Sequence, residues 1–98
     1  MYKINFTKVY GGYFYINDGN KNYKIPFLSY KLDILYSIFR KYFHHTNNKK
    51  ILDISIDSLI SFDEMYSMLT SKDTTIFNMT IDIIKNTKIY DNQDNRNI

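Results

Sequence analysis

The sequence predicts an α+β domain: an antiparallel sheet led by an N-terminal three-strand meander, with helices over 29–45 and 61–71 packed on one face. Three observations carry that reading. Residues 2–25 alternate apolar and polar side chains and are interrupted at Gly11-Gly12 and Asp18-Gly19, the period and punctuation of hairpins. Residues 28–43 then change to apolar spacings of three, four and seven, the stripe of an amphipathic helix. Period two returns at 50–57, followed by a marked helix start at Ser61. The order is βββαβα, followed by a strand or a helix.

In the first strand, Tyr2, Ile4 and Phe6 share one face, and Lys3, Asn5 and Thr7 the other. The second spans 13–17 and the third 21–25, ended by Pro26, which cannot donate to a ladder. A two-residue Asp18-Gly19 turn pairs Phe14 with Tyr23, so Phe14, Ile16, Tyr23 and Ile25 share the core face. Tyr13, Tyr15, Asn22 and Lys24 then share the outer face. For the first hairpin, a three-residue loop at 10–12 keeps Phe6 opposite Ile16. A register one residue off would turn Phe6 to the polar side.

Ser29 is positioned to cap the first helix, which carries Leu28, Leu32, Leu35, Phe39, Tyr42 and Phe43 on its apolar stripe. His44 and His45 fall at its end, where cations suit the helix dipole. In strand 50–56, Leu52, Ile54 and Ile56 point inward and Asp53, Ser55 and Asp57 outward. Ser61 with Glu64 forms a capping box, and Phe62, Met65, Tyr66 and Leu69 give the second helix its core face. Segment 74–84 fits a strand with Thr75, Phe77, Met79, Ile81 and Ile83 on one face. It also fits a helix capped by Asp73 with Phe77, Ile81 and Ile84 together. Its β-branched residues favour the strand.

Ninety-eight residues make one domain, assigned to 1–90, with a polar tail expected to be disordered over 91–98. Absence of cysteine excludes a disulfide framework and a Cys-based zinc site. No apolar run approaches a membrane span, and the start lacks a signal-peptide pattern. The expectation is a soluble cytoplasmic protein with no membrane partner.

Ile, Asn, Lys, Tyr and Phe supply 54 of the 98 residues, and alanine is absent. The abundant residues have AT-rich codons. This composition suits a small accessory protein of a phage, virus or mobile element with an AT-rich genome, acting in the cytoplasm of its host. Charge is divided unevenly. Residues 1–50 carry nine Lys/Arg against two Asp, whereas 51–98 carry four against eight Asp/Glu. Thirteen of the seventeen aromatics lie in the basic half. Such a half suits an anionic or aromatic-accepting partner.

Catalytic patterns are missing from the sequence. No nucleophile elbow frames a serine, and no glycine-rich phosphate loop exists. The Asp53, Ser55 and Asp57 array has the oxygen ligands of a hard-cation site but needs further ligands from elsewhere. The expectation is no enzyme, cofactor or metal.

Residues 8–16 place a basic residue, glycines and aromatics in an order similar to an RNA-recognition signature. They depart from it at Val9 and Gly12 and precede any helix, so that fold is not expected. Residues 61–85 would form a helix-turn-helix if 74–84 were helical, burying Met65, Leu69, Ile76 and Met79. The acidic character of the region opposes phosphate binding.

What remains is binding. Tyr13, Tyr15 and Lys24 form the candidate partner surface, with Lys8 and, more broadly, Lys3, Lys21, Lys31, Arg40 and Lys41. The leading expectation is a non-catalytic protein that modulates or inhibits a host protein or nucleoprotein complex through this basic, tyrosine-rich sheet face. Direct binding of single- or double-stranded nucleic acid is the first alternative, and self-association into a homo-oligomer the second.

Overall fold

Six strands form one antiparallel sheet in the computed structural model, which describes residues 1–26, 32–46 and 49–92, with backbone alone at 45, 46 and 49. β1 (Tyr2–Tyr10), β2 (Tyr13–Asn17) and β3 (Asn22–Pro26) are the expected meander. α1 (Asp33–Phe39) follows, then a 3-10 turn (Arg40–Tyr42), β4 (His44–Thr46) and β5 (Lys49–Ser58). α2 (Phe62–Leu69), α3 (Thr74–Lys85) and β6 (Ile89–Asp91) complete the chain. The sheet order is β3-β2-β1-β5, and the far edge of β5 is shared. β4 pairs its N-terminal end from Ile51 to Lys49, and β6 pairs its later part from Ile54 to Ile56.

The helices cover one face. Ile4, Phe6, Phe14, Ile16, Leu52, Ile54 and Ile56 of the sheet are buried with Leu32, Leu35 and Phe39, with Phe62, Met65 and Leu69, and with Ile81 and Ile84. Phe6 links the layers: its ring lies 4.8 Å from Phe39 and 6.2 Å from Phe62, which lies 4.8 Å from Tyr23. Such aromatic pairs add about 0.5–1.5 kcal/mol each beyond the area they bury. Phe14 and Ile16 are buried, and Tyr23 and Ile25 pack against the same core, as their alternation requires.

Both hairpins differ from expectation in their loops, though not in their inner faces. Gly11 and Gly12 have φ of 62° and 85°, two positive values in a two-residue turn, which glycine adopts without penalty. Tyr10 therefore pairs with Tyr13, and Val9 with Phe14. The Phe6–Ile16 pairing is kept by a bulge rather than a longer loop: Thr7 is an extra residue between Phe6 and Lys8, its hydroxyl donating to the Tyr15 carbonyl at 3.0 Å. Across the other edge of β1, Leu52 and Asp53 stand opposite Thr7, and Asp53 takes φ of 43°. The bulge buries both Phe6 and Val9, which an unbroken strand would send to opposite faces.

In the second hairpin Asn17 pairs with Asn22 and Phe14 with Ile25, so the loop has four residues rather than two. A shift of two preserves every face. Asp18 explains the longer loop. Its carboxylate accepts from the amides of Asn20 (3.2 Å) and Lys21 (3.1 Å) and from the Tyr23 hydroxyl (3.0 Å).

Helix 29–45 is shorter than its apolar stripe. α1 ends at Phe39, and Phe43 is extended, its ring 4.5 Å from Tyr36 and 6.5 Å from Phe14. His44 and His45 consequently sit in β4, not at a helix end. Pairing satisfies backbone groups along β5 that an open edge would leave bare. The expected Ser29 cap lies outside the described residues.

Ser61 caps α2, accepting from the Glu64 amide at 3.3 Å, and Phe62, Met65 and Leu69 are buried as expected. Segment 74–84 is helical, which corrects the strand preference. Asp73 caps α3 by accepting from the Thr75 amide at 2.9 Å, and Thr80, Ile81 and Ile84 form its buried face. The β-branched penalty is a few tenths of a kcal/mol per residue, small beside burial of an amphipathic face against α2. Tertiary pairing also leaves a seventh strand no place beside β5, because β4 and β6 already occupy that edge. β6 had no sequence signal of its own, and its last residue, Asp91, pairs with Ile54.

Candidate interaction face

The outer face of β1–β3 is built in rungs. Tyr15 pairs with Lys8 on one side and Lys24 on the other, and Tyr13 pairs with Tyr10 and Pro26. Because directly paired residues share a face, all six side chains stand on the side away from the helices. The Lys8 Nζ lies 4.8 Å from the Tyr15 ring centre and 6.0 Å from that of Tyr10, and the Lys24 Nζ lies 4.5 Å from that of Tyr13. Each ring thus has an ammonium within cation–π range. The next rung is Asn5, Asn17 and Asn22, in which the Asn17 amide donates to the Asn22 side-chain oxygen at 2.7 Å.

The Thr7 bulge creates this surface. Without it Lys8 would share the parity of Phe6 and face the core, and Tyr10 with it. The extra residue reverses that parity, so Lys8 and Tyr10 join Tyr13 and Tyr15 outside while Val9 goes in. Tyr10, 55 % exposed, is the member that sequence reasoning missed. The double glycine beside it was the available signal, since a two-residue turn forces Tyr10 opposite Tyr13. A cavity of about 190 Å³ opens between the rungs, lined by Thr7, Lys8, Tyr15, Asn17 and Asn22 with Ile16 and Tyr23.

The remaining predicted residues are dispersed. Lys3 is on the outer face but at the opposite end of β1, 5.3 Å from the Tyr90 ring centre. Lys88 approaches the same ring at 5.0 Å, and the Tyr90 hydroxyl donates to Asp57 at 2.9 Å. That hydrogen bond to Asp57, with burial, pushes the Tyr90 hydroxyl above its ordinary value. Ser55 lies between Asn5 and Tyr90 in the ladder and is fully buried, and Asp57 is engaged by Tyr90, so the predicted outward array is not an open carboxylate face.

Lys21 is exposed but stands apart from the tyrosine–lysine face. It lies 3.6 Å from Asp63 of α2 and 5.3 Å from the Tyr23 ring centre, beside the core layer. Arg40 and Lys41 are in the 3-10 turn after α1, on the helix side, with Lys41 4.9 Å from the Tyr42 ring centre. Lys31 lies outside the described residues. The helix-turn-helix set also fails, because Met79 is 49 % exposed instead of buried.

A separate electrostatic cluster joins the β2–β3 loop to α2. Desolvation pushes the Asp18 carboxyl up, but hydrogen bonds from the Asn20 amide, the Tyr23 hydroxyl and the Lys21 and Phe62 amides together outweigh it and hold the group below its ordinary value. Tyr23 is pushed up to about 12, by burial first and then by its hydrogen bond to Asp18 and the nearby carboxylate charges. Phe62 is the first residue of α2, so Asp18 ties a loop of the sheet to a helix start. The cluster is structural in geometry: its groups are spent on one another.

A wider cavity, about 580 Å³, lies on the helix side between α1 and the start of α3 and is lined by Asp33, Ser37, Lys72, Thr74, Phe77 and Asn78 among others. No group of three or more metal-ligating His, Cys, Asp or Glu side chains occurs among the described residues. No helix among them is long and apolar enough to cross a membrane. No family model, curated protein or solved structure matches the chain.

Proposed function

We propose that this is a small non-catalytic binding protein that modulates or inhibits a host nucleoprotein complex, docking through the outer face of β1–β3. One observation carries the reading. Among the described residues the helices lie on one side of the sheet, and the other side of β1–β3 presents three tyrosines interleaved with two lysines beside a rung of asparagines. Tyrosine buries much area at little entropic cost and is enriched among the residues that dominate interfaces. The basic charge of residues 1–50 matches the anionic side of a nucleoprotein. A cytoplasmic setting and an AT-rich phage, viral or mobile-element source accord with the composition.

The test is capture from extracts of the source cells with immobilised wild type and a Tyr13→Ala/Tyr15→Ala variant, with and without nuclease. The wild type should retain a defined complex that the variant loses, while both keep the same melting temperature. Identical capture by the two proteins would remove the face from consideration.

A further inference from the structure

We infer that the occupant of this face is single-stranded nucleic acid, two or three nucleotides of it lying across Tyr13, Tyr15 and Tyr10. The inference rests on the docking reading above and names its ligand. Three features converge on one chemistry.

The first is the rings. Tyr13 and Tyr15 stand two residues apart on β2, so their rings repeat at about 6.8 Å along the strand. Tyr10 extends the surface sideways by one strand spacing. Tyr10 is exposed and Tyr13 and Tyr15 are half-buried on an open sheet face; rings so placed stack unpaired bases and have nothing to stack on in a duplex, whose bases are already covered.

The second is charge. Lys8 and Lys24 flank Tyr15 on both sides, and among residues 1–26 the sole carboxylate is Asp18, which is buried in its loop. A polyanion therefore meets two ammonium groups on this rung, and the nearest carboxylate of the neighbouring strand, Asp53, stands across β1 opposite Thr7. The lysines lie over rings, held by contacts worth only about 0.5–1 kcal/mol at exposed sites, so a phosphate can draw them away and free the ring for a base.

The third is hydrogen bonding. The cavity beside Tyr15 is lined by Thr7, Asn17 and Asn22; the Thr7 hydroxyl donates to the Tyr15 carbonyl and the Asn17 amide to the Asn22 oxygen, which leaves the Asn22 amide hydrogens and the second Asn17 amide hydrogen as donors beside a stacking ring. An acidic protein segment would satisfy the charge and the amide pair but offers no flat π-face for the tyrosine rings to stack on. Single-stranded nucleic acid uses all three.

Fluorescence anisotropy with labelled oligothymidylate and oligouridylate of about 15 nucleotides, within the site sizes of single-strand binders, tests this against a duplex of equal length and against polyglutamate. Single strands should bind more tightly than either comparator. Tyr13→Ala and Tyr15→Ala should each weaken binding about 5- to 150-fold, whereas Tyr13→Phe and Tyr15→Phe, which keep the ring, should change it little. Two phosphate contacts predict a loss of about sevenfold between roughly 50 and 200 mM salt, and a Lys8→Gln/Lys24→Gln variant should flatten that dependence.

Duplex or polyglutamate binding as tight as the single strand would overturn the inference, as would Ala variants that bind unchanged. Absence of oligonucleotide binding, with Tyr-dependent capture that survives nuclease, would leave the docking face standing and make its occupant a protein. Capture indifferent to Tyr13 and Tyr15 would instead overturn the docking reading itself. Melting temperatures of every variant separate loss of the face from loss of the fold.

Discussion

Asp18 is the side chain whose removal should be felt farthest from its own position. Its carboxylate accepts from the Asn20 and Lys21 amides and the Tyr23 hydroxyl at 3.0–3.2 Å, and the Phe62 amide at the start of α2 adds a smaller pull toward the ionised form. A hydrogen bond to a charged group contributes about 1.5–3 kcal/mol when desolvated and less where water can substitute, and the two loop amides are near solvent. Asp18→Ala should therefore cost about 2–4 kcal/mol, a large share of the roughly 5–15 kcal/mol that stabilises a domain. For a chain of this size that is a fall of about 10–25 °C in melting temperature. Asp18→Asn keeps an oxygen for the amides and offers a donor to the Tyr23 oxygen, so it should cost about 1 kcal/mol.

Because the fold lowers the Asp18 value below 3.8, its contribution is complete above that pH and is lost as pH falls through the lowered folded value. The gap between wild type and Asp18→Ala, measured by urea midpoints, should hold from neutrality to about pH 4 and narrow below it. A cost under about 0.5 kcal/mol for Asp18→Ala, or a gap that stays constant into strong acid, would refute the assignment of Asp18 as the clasp between sheet and α2.

Other expectations follow from single contacts. Tyr23 titrates at about 12 instead of 10.0, so its share of stability is intact below pH 10 and is lost as pH rises through 12. Wild type should lose more stability over that window than Tyr23→Phe, and parallel urea profiles would contradict this. The buried Ser55 hydroxyl has no hydrogen-bond partner among the described residues, so Ser55→Ala should leave stability unchanged or raise it by about 1 kcal/mol in chemical denaturation. Gly12→Ala, at φ of 85°, should cost about 1–2 kcal/mol, whereas Gly11→Asn should be tolerated, a contrast that thermal melts can read. Ser61→Ala and Asp73→Ala should each cost about 1 kcal/mol through loss of a helix cap, seen as a lower melting temperature.

Much of the fold was legible because its signals are local. The alternation of Phe14 and Ile16 against Tyr13 and Tyr15 placed two residues in the core and two outside, and the structure agrees. Ser61 and Glu64 marked a helix start by their spacing alone. The loops were less legible. Asp-Gly is a strong two-residue turn signal, yet the Asp18 carboxylate gathers amides from two residues further on and opens the loop to four. Segment 74–84 satisfied two periods at once, and its β-branched residues weighed toward the wrong one. On the candidate face, Tyr13, Tyr15 and Lys24 were readable from parity. Lys8 was named with them for its charge and not from parity, and Tyr10 was missed, because parity reverses at the Thr7 bulge, to which the double-glycine turn was the one pointer.

The sequence by itself determined the α+β class, the side of the sheet that each residue of β2 and β3 occupies, and the start of α2. These depend on side-chain period and on hydrogen bonds spanning three or four residues, which any segment carries with it. Tertiary structure decided where α1 gives way to β4, that 74–85 is a helix, that β6 exists, and that the surface extends to Lys8 and Tyr10. Each of these depends on pairing and packing between distant segments. The edge of β5 must find partners for its backbone, and Phe6 and Val9 must both reach the same core. Thr7 is the residue left over when they do, and the tyrosine–lysine face is the consequence on the other side of the sheet.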